Sequence, residues 1–163
     1  SLIDNMGMPL RESLPLAVDV LTQYGLRDRI RICASGKLVN PSEVAWAYCA
    51  GADMVISARG FMFALGCIQA LQCNKNTCPP GITTPDPKLQ FGLDPTNKSV
   101  RVAQYAQNMV KELTLIAHSC GVNTPRQLRR HYARIVLDNG RSIPMDELFP
   151  APKPRAAPEP NRS

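Results

Sequence analysis

Three cysteines within one short stretch constrain this chain more than any other feature. The stretch runs Gly66-Cys67-Ile68-Gln69-Ala70-Leu71-Gln72-Cys73-Asn74-Lys75-Asn76-Thr77-Cys78-Pro79-Pro80-Gly81, a C-x5-C-x4-C spacing. The first two cysteines lie in a run that reads as a helix end, and the third is locked by two prolines and a glycine. A thiolate is a soft ligand, and three on one short segment can face a single iron–sulfur cluster. Three cysteines suit a three-iron cluster, or a four-iron cluster with one iron held from elsewhere. Other readings stay open at this point. A structural zinc site usually wants four ligands at closer spacings, and His118 and His131 are distant in sequence. A disulfide leaves an odd cysteine and needs an oxidising compartment. Buried cysteines can also be inert.

The chain has 163 residues, 44% of them hydrophobic, which is enough for one packed domain or a piece of a larger one. No apolar run reaches the roughly 18 residues of a membrane span, and the first residues carry no basic start of a secretory signal. Six cysteines without such a signal fit a reducing, cytoplasmic setting. The formal charge is +6, with part of the excess at Arg126, Arg129, Arg130, Arg134, Lys153 and Arg155. Aromatics are only 6% and no nucleic-acid module is visible, so a solvated basic face, or one matched to an acidic partner domain, is expected.

Apolar Leu10, Leu14, Ala17, Val18 and Leu21 predict a helix over 9–24, ended by Gly25. A strand is expected over 29–34, then a Ser35-Gly36-Lys37 loop. Asn40-Pro41-Ser42-Glu43 is a capping-box start for a second helix, ended by Gly51, with Val44, Ala45 and Tyr48 on one face. A second strand is expected over 53–57, a loop at Ala58-Arg59-Gly60, and a third helix over 61–72. This repeat of strand, helix and strand predicts parallel pairing through a right-handed crossover. Two strands alone leave edges uncovered. The expected fold class is therefore α/β: the last two strands and helices of a (β/α)8 TIM barrel, with an upstream barrel half of the same protein before it.

After Cys78 a proline-rich segment is expected to be irregular as far as residue 97. A long helix is predicted over 99–120, with Val102, Ala106, Met109, Val110, Leu113, Ile116 and Ala117 as its apolar stripe. A short helix over 124–132 and a hairpin around Asp138-Asn139-Gly140 follow. The tail from 151 to 163 has four prolines and is expected to be disordered. The organisation expected is thus closing barrel units over 1–66, a cluster-binding segment over 67–98, a C-terminal helical region over 99–150 and the tail.

In barrels of this kind the loops after the last strands often bind phosphate together with a helix N-terminus. Here those loops hold Ser35, Gly36 and Lys37, then Ala58, Arg59 and Gly60. Glycines admit an anion to the backbone, and Lys37 and Arg59 offset its charge. Taken singly, each is equally an ordinary loop with an incidental cation. Paired, and placed before the cysteine segment, they point to a flavin mononucleotide (FMN) phosphate site.

Ala34-Ser35-Gly36-Lys37, Gly51-Ala52-Asp53-Met54, Ser57-Ala58-Arg59-Gly60, Phe63-Ala64-Leu65-Gly66-Cys67 and Asn76-Thr77-Cys78-Pro79 together resemble the FMN-binding domain of glutamate synthase, nearest to stand-alone bacterial glutamate-synthase-like proteins. The resemblance runs to about Pro150 and takes in Leu128-Arg129-Arg130-His131. It implies FMN at the carboxyl face of a barrel, a 3Fe–4S cluster close by (4Fe–4S as the alternative), and conversion of 2-oxoglutarate and ammonia or glutamine nitrogen to glutamate. It implies an electron donor protein or an NAD(P)H-oxidising subunit as a partner. Cys67, Cys73 and Cys78 would be the cluster ligands, and Ser35, Gly36, Arg59 and Gly60 would lie at the flavin phosphate. The classical enzymes carry Asp-Gly-Gly where this chain has Ala34-Ser35-Gly36. The family's catalytic groups lie on earlier strands, so no catalytic residue is assigned, and His118 and His131 read as structural or surface residues. The rival expectation is a non-enzymatic or truncated subunit that holds a cluster or docks onto a partner barrel.

Overall fold

A computed structural model of the chain describes residues 6–153. The expectation of a disordered tail falls mostly outside those residues. The order is α1 (Leu10–Gln23), β1 (Cys33–Ser35), α2 (Pro41–Ala50), β2 (Met54–Ile56), α3 (Ala58–Leu65), α4 (Pro87–Gln90), α5 (Pro95–Ser119), β3 (Arg134–Val136), β4 (Ser142–Pro144) and α6 (Met145–Leu148). The class is α/β. β1 and β2 pair in parallel with Ala34 opposite Val55, and β3 and β4 pair antiparallel with Ile135 opposite Ile143. Among the described residues β1 and β2 each have one neighbour, so both outer edges are open. No described helix is long and apolar enough to cross a membrane.

α2 is the centre of the molecule. Asn40 Oδ1 accepts the Glu43 amide at 2.9 Å, and Glu43 Oε2 accepts the Val39 amide at 2.8 Å, closing the expected capping box. Gly51 ends the helix at φ 109°. Val44, Ala45, Trp46, Ala47, Cys49 and Ala50 are all buried. The helix is thus enclosed on nearly every side, which a single apolar face (Val44, Ala45, Tyr48) did not anticipate. Leu14 of α1, Ala34 of β1, Leu113 of α5, Leu128 and Met145 complete the core around it.

Several boundaries differ from the sequence reading. β1 starts at Cys33 because a short 3-10 turn occupies Arg27–Arg29. α3 begins at Ala58, so Ala58, Arg59 and Gly60 form a helical first turn rather than a loop. It stops at Leu65, where Gly66 takes φ 101°, and the predicted helix to residue 72 does not form. α5 starts four residues early, because Asp94 accepts the Thr96 amide at 3.0 Å and Pro95 fits the first turn. Along its stripe Leu113 and Ala117 are buried, whereas Val110 is 64% exposed. The predicted helix over 124–132 is two 3-10 turns, Pro125–Gln127 and Arg130–Tyr132. Leu128 is extended between them (ψ 142°) and 1% exposed, so burying its side chain breaks the helix.

These turns are fastened to α1. The Arg130 guanidinium meets Asp19 at 2.5 Å and also donates to the Phe149 carbonyl at 2.8 Å. This ties the C-terminal segment to the first helix across more than a hundred residues of chain.

Candidate cofactor site

The parallel register sets Ser35 opposite Ile56. The carboxyl ends of β1 and β2 are therefore side by side, and the stretches Ser35-Gly36-Lys37 and Ala58-Arg59-Gly60 leave from one edge. Ser35, Gly36, Lys37, Ala58 and Arg59 are exposed there, and Gly60 is buried. Gly36 packs beneath α1, since a Cβ on it would lie 3.0 Å from Leu10 Cβ. Lys37 takes a left-handed backbone at φ 58°.

Ser57 stands at the N-cap position of α3, yet its side chain caps no amide. Its hydroxyl donates to the Leu38 carbonyl at 2.6 Å and meets the Tyr105 hydroxyl at 2.7 Å. Tyr105 in turn donates to the Val39 carbonyl at 2.8 Å. Two hydroxyl protons serve three contacts, so they are shared in turn. With Ser57 engaged elsewhere, the first amides of α3 have no side-chain acceptor among the described residues. Such an end matches an anion through its free N–H groups and its dipole. A Cβ on Gly60 would lie 1.9 Å from the Tyr105 hydroxyl oxygen, so the space the missing side chain leaves is filled by Tyr105. The sequence singled out Gly60 but not Tyr105, which sits on α5, 45 residues later, and had no local signal.

The cysteine segment leaves α3 directly. Cys67 follows the Gly66 cap and is half-buried, and the Lys98 ammonium lies over Gly66, 3.0 Å from where a Cβ would stand. Cys73 is exposed and opens a 3-10 turn over Cys73–Lys75. Cys78 is buried at 7% exposure. Among the described residues no group of three or more His, Cys, Asp or Glu side chains is close enough to hold a metal ion, so the three thiols are not gathered as they stand.

The surroundings of Cys78 nevertheless favour a thiolate. The Thr83 amide lowers its pKa most. Burial opposes this, and the Thr83 hydroxyl and the Ile82 and Gly81 amides add to the lowering. Thr83 Oγ1 is buried with no regular hydrogen-bond partner among the described residues. The loop is shaped by two glycines. Gly81 has φ 82°, and a Cβ on it would lie 2.2 Å from the Leu89 carbonyl oxygen. A Cβ on Gly92 would lie 2.9 Å from that of Pro80. Neighbouring amides that hold a thiol below its ordinary pKa suit an anionic ligand, which is the form a metal-binding cysteine takes. The Pro-Pro-Gly after Cys78 was the legible part of this cradle; Thr83 was not singled out.

The two candidate segments share one further property. The four described non-glycine residues with positive φ are Lys37, Gln69, Leu71 and Asn76. One lies in the first loop and three lie between Cys67 and Cys78. Backbone held in sparsely populated regions gathers at functional sites.

Residues 1–123 match the family model described as a conserved region in glutamate synthase. The chain is 42% identical over 148 residues, 91% of its length, to a glutamate synthase large subunit-like protein (YerD) of Bacillus subtilis. It is 32% identical over 132 residues, 81% of its length, to an archaeal glutamate synthase [NADPH] of Methanocaldococcus jannaschii. It is 30% identical over 126 residues, 77% of its length, to an archaeal-type glutamate synthase [NADPH] of Thermotoga neapolitana. It spans 28%, 26% and 25% of those relatives respectively. The chain belongs to the glutamate synthase family.

Proposed function

We propose that this chain is the closing segment of a glutamate synthase-type oxidoreductase that makes glutamate from 2-oxoglutarate and ammonia or glutamine nitrogen, with FMN and an iron–sulfur cluster as cofactors. The observation that carries the reading is the adjacency of two segments in a family member: an uncapped helix start at one strand edge, and a three-cysteine stretch that leaves the same helix. Bound there, the cofactors supply the electrons that reduce the imine of 2-oxoglutarate.

The residues of this chain bind and orient. Ser35, Gly36 and the first-turn amides of α3 at Ala58 and Arg59 hold the flavin phosphate, with Lys37 and the Arg59 guanidinium balancing its charge. Gly60 acts indirectly, by letting Tyr105 fix the start of α3. Cys67, Cys73 and Cys78 hold the cluster, 3Fe–4S with 4Fe–4S as the alternative. Only the Cys78 sulfur is pre-arranged. The stretch between Cys67 and Cys78 therefore refolds as metal is taken up, which is how metal binding couples to local folding. The strained backbone at Gln69, Leu71 and Asn76 is what that refolding relaxes.

The open edges of β1 and β2, with Met54 45% and Ile56 53% exposed, fit a strand pair completed by the rest of a (β/α)8 barrel. The partners in this reading are an electron-donor protein or an NAD(P)H-oxidising subunit, and the setting is the cytoplasm. The test is glutamate formation by the complete protein, purified without oxygen and given 2-oxoglutarate, ammonia or glutamine, and a low-potential reductant. Glutamate accumulation is expected, and its absence with every nitrogen source would overturn the assignment.

A further inference from the structure

The geometry points to a second anion site in this chain, at the end of the strand pair opposite the proposed flavin site, built to take a phosphate dianion. A cavity of about 340 Å3 opens there. Arg27 and Arg31 precede β1 and Asp53 precedes β2, so the cavity lies at the amino ends of the strands. Arg126 and Arg129 line it from the turn after α5, and Tyr48 from α2.

The lining carries four arginines against two aspartates, Asp28 and Asp53. Asp53 is shared by Arg27 at 2.9 Å and Arg31 at 3.4 Å, so one carboxylate serves two guanidinium groups. Arg27 is also clamped by the Gly51 carbonyl at 2.7 Å and the Ile30 carbonyl at 2.9 Å, with its side chain 21% exposed. Arg129 is held through one nitrogen by the Arg126 and Leu128 carbonyls, both at 2.8 Å, which leaves its other nitrogens to a ligand. The Arg126 guanidinium has no polar partner among the described residues.

Positive charge therefore exceeds negative in a concave space where Arg27 and Arg129 are already held by backbone carbonyls. Planar guanidinium forks match phosphate oxygens in pairs. The volume is that of a small-molecule pocket rather than of a docking groove for a protein segment. The ligand class is inorganic phosphate or a phosphate monoester.

The experiment is equilibrium dialysis of radiolabelled inorganic phosphate against the complete protein and its Arg126→Ala and Arg126→Ala/Arg129→Ala variants. Any phosphate held at the flavin site is common to all three and cancels. The expected result is one phosphate more per chain in the parent than in the double variant, and roughly tenfold weaker binding in Arg126→Ala. Arg126 is exposed and its side chain makes no hydrogen bond or ion pair among the described residues, so that variant tests the site with little disturbance of the fold. Displacement by adenosine monophosphate would identify a monoester as the ligand, and its failure to displace would identify free phosphate; both accord with the site. Superimposable binding curves for all three proteins would overturn it.

Discussion

The hydroxyl of Tyr105 occupies the place where residue 60 would carry a side chain, 1.9 Å from the Cβ that Gly60 lacks. The start of α3, where the proposed phosphate amides lie, is thus braced by α5. Phe61 meets the same tyrosine edge-on with ring centroids 5.0 Å apart.

Gly60→Ala should therefore act on stability before it acts on any ligand. Overpacking of this kind costs about 1–3 kcal/mol. Tyr105→Phe, which leaves Ser57 and the Val39 carbonyl with one donor fewer, should cost about 1 kcal/mol. Denaturant midpoints of the flavin-free protein check both. An unchanged midpoint in Gly60→Ala would mean that the glycine serves only the ligand.

Asp53 should make the fold acid-sensitive. Burial pushes its carboxyl up, but the Ile32 amide, Arg27 and Arg31 together outweigh burial and hold it below the ordinary value. A lowered pKa stabilises the fold above the unfolded value, near 4, and that contribution is lost as pH falls through the folded value. Asp53→Asn should accordingly be less stable than the parent at neutral pH, with the gap narrowing below about pH 4. A gap independent of pH would exclude the charge as its source.

The Arg130–Asp19 pair, with side chains 14% and 19% exposed, should show strong coupling. Losing either partner strands a mostly buried charge, at a cost of about 3 kcal/mol, while the double alanine variant should lose less than the sum of the two single changes. A double-mutant cycle that sums additively would show that the pair is incidental.

Legibility in the sequence followed locality. The Asn40–Glu43 capping box, Gly51 and the Asn139-Gly140 hairpin were readable because the residues that decide them are neighbours, and the parallel pairing because the strand–helix–strand repeat dictates it. The third helix was overextended because the apolar residues after Gly66 continued a helical period. Gly66 at φ 101° ended it, and Gln69 and Leu71 turned the other way. Leu128 broke a helix that the Thr124–Gln127 pattern predicted, because the core fixed its side chain from a distance. At the site, the cysteines and strand-end loops were visible as motifs. Tyr105 and the amide donors around Cys78 arose only from tertiary approach.

Gly81→Ala tests the cradle around Cys78. Its Cβ would strike the Leu89 carbonyl, and φ 82° strains any side chain there. The complete protein carrying it should retain less iron than the parent while keeping its flavin. Full iron retention would mean that this loop does not shape the ligand.

The most direct measurement compares the visible absorption and iron content of the complete protein, purified without oxygen, with those of its Cys73→Ser variant. A brown protein with roughly three to four irons per chain is expected for a cluster of this class, with loss of both colour and iron in the variant and flavin retained. Parent and variant with equal iron, or a colourless, iron-free parent, would contradict it.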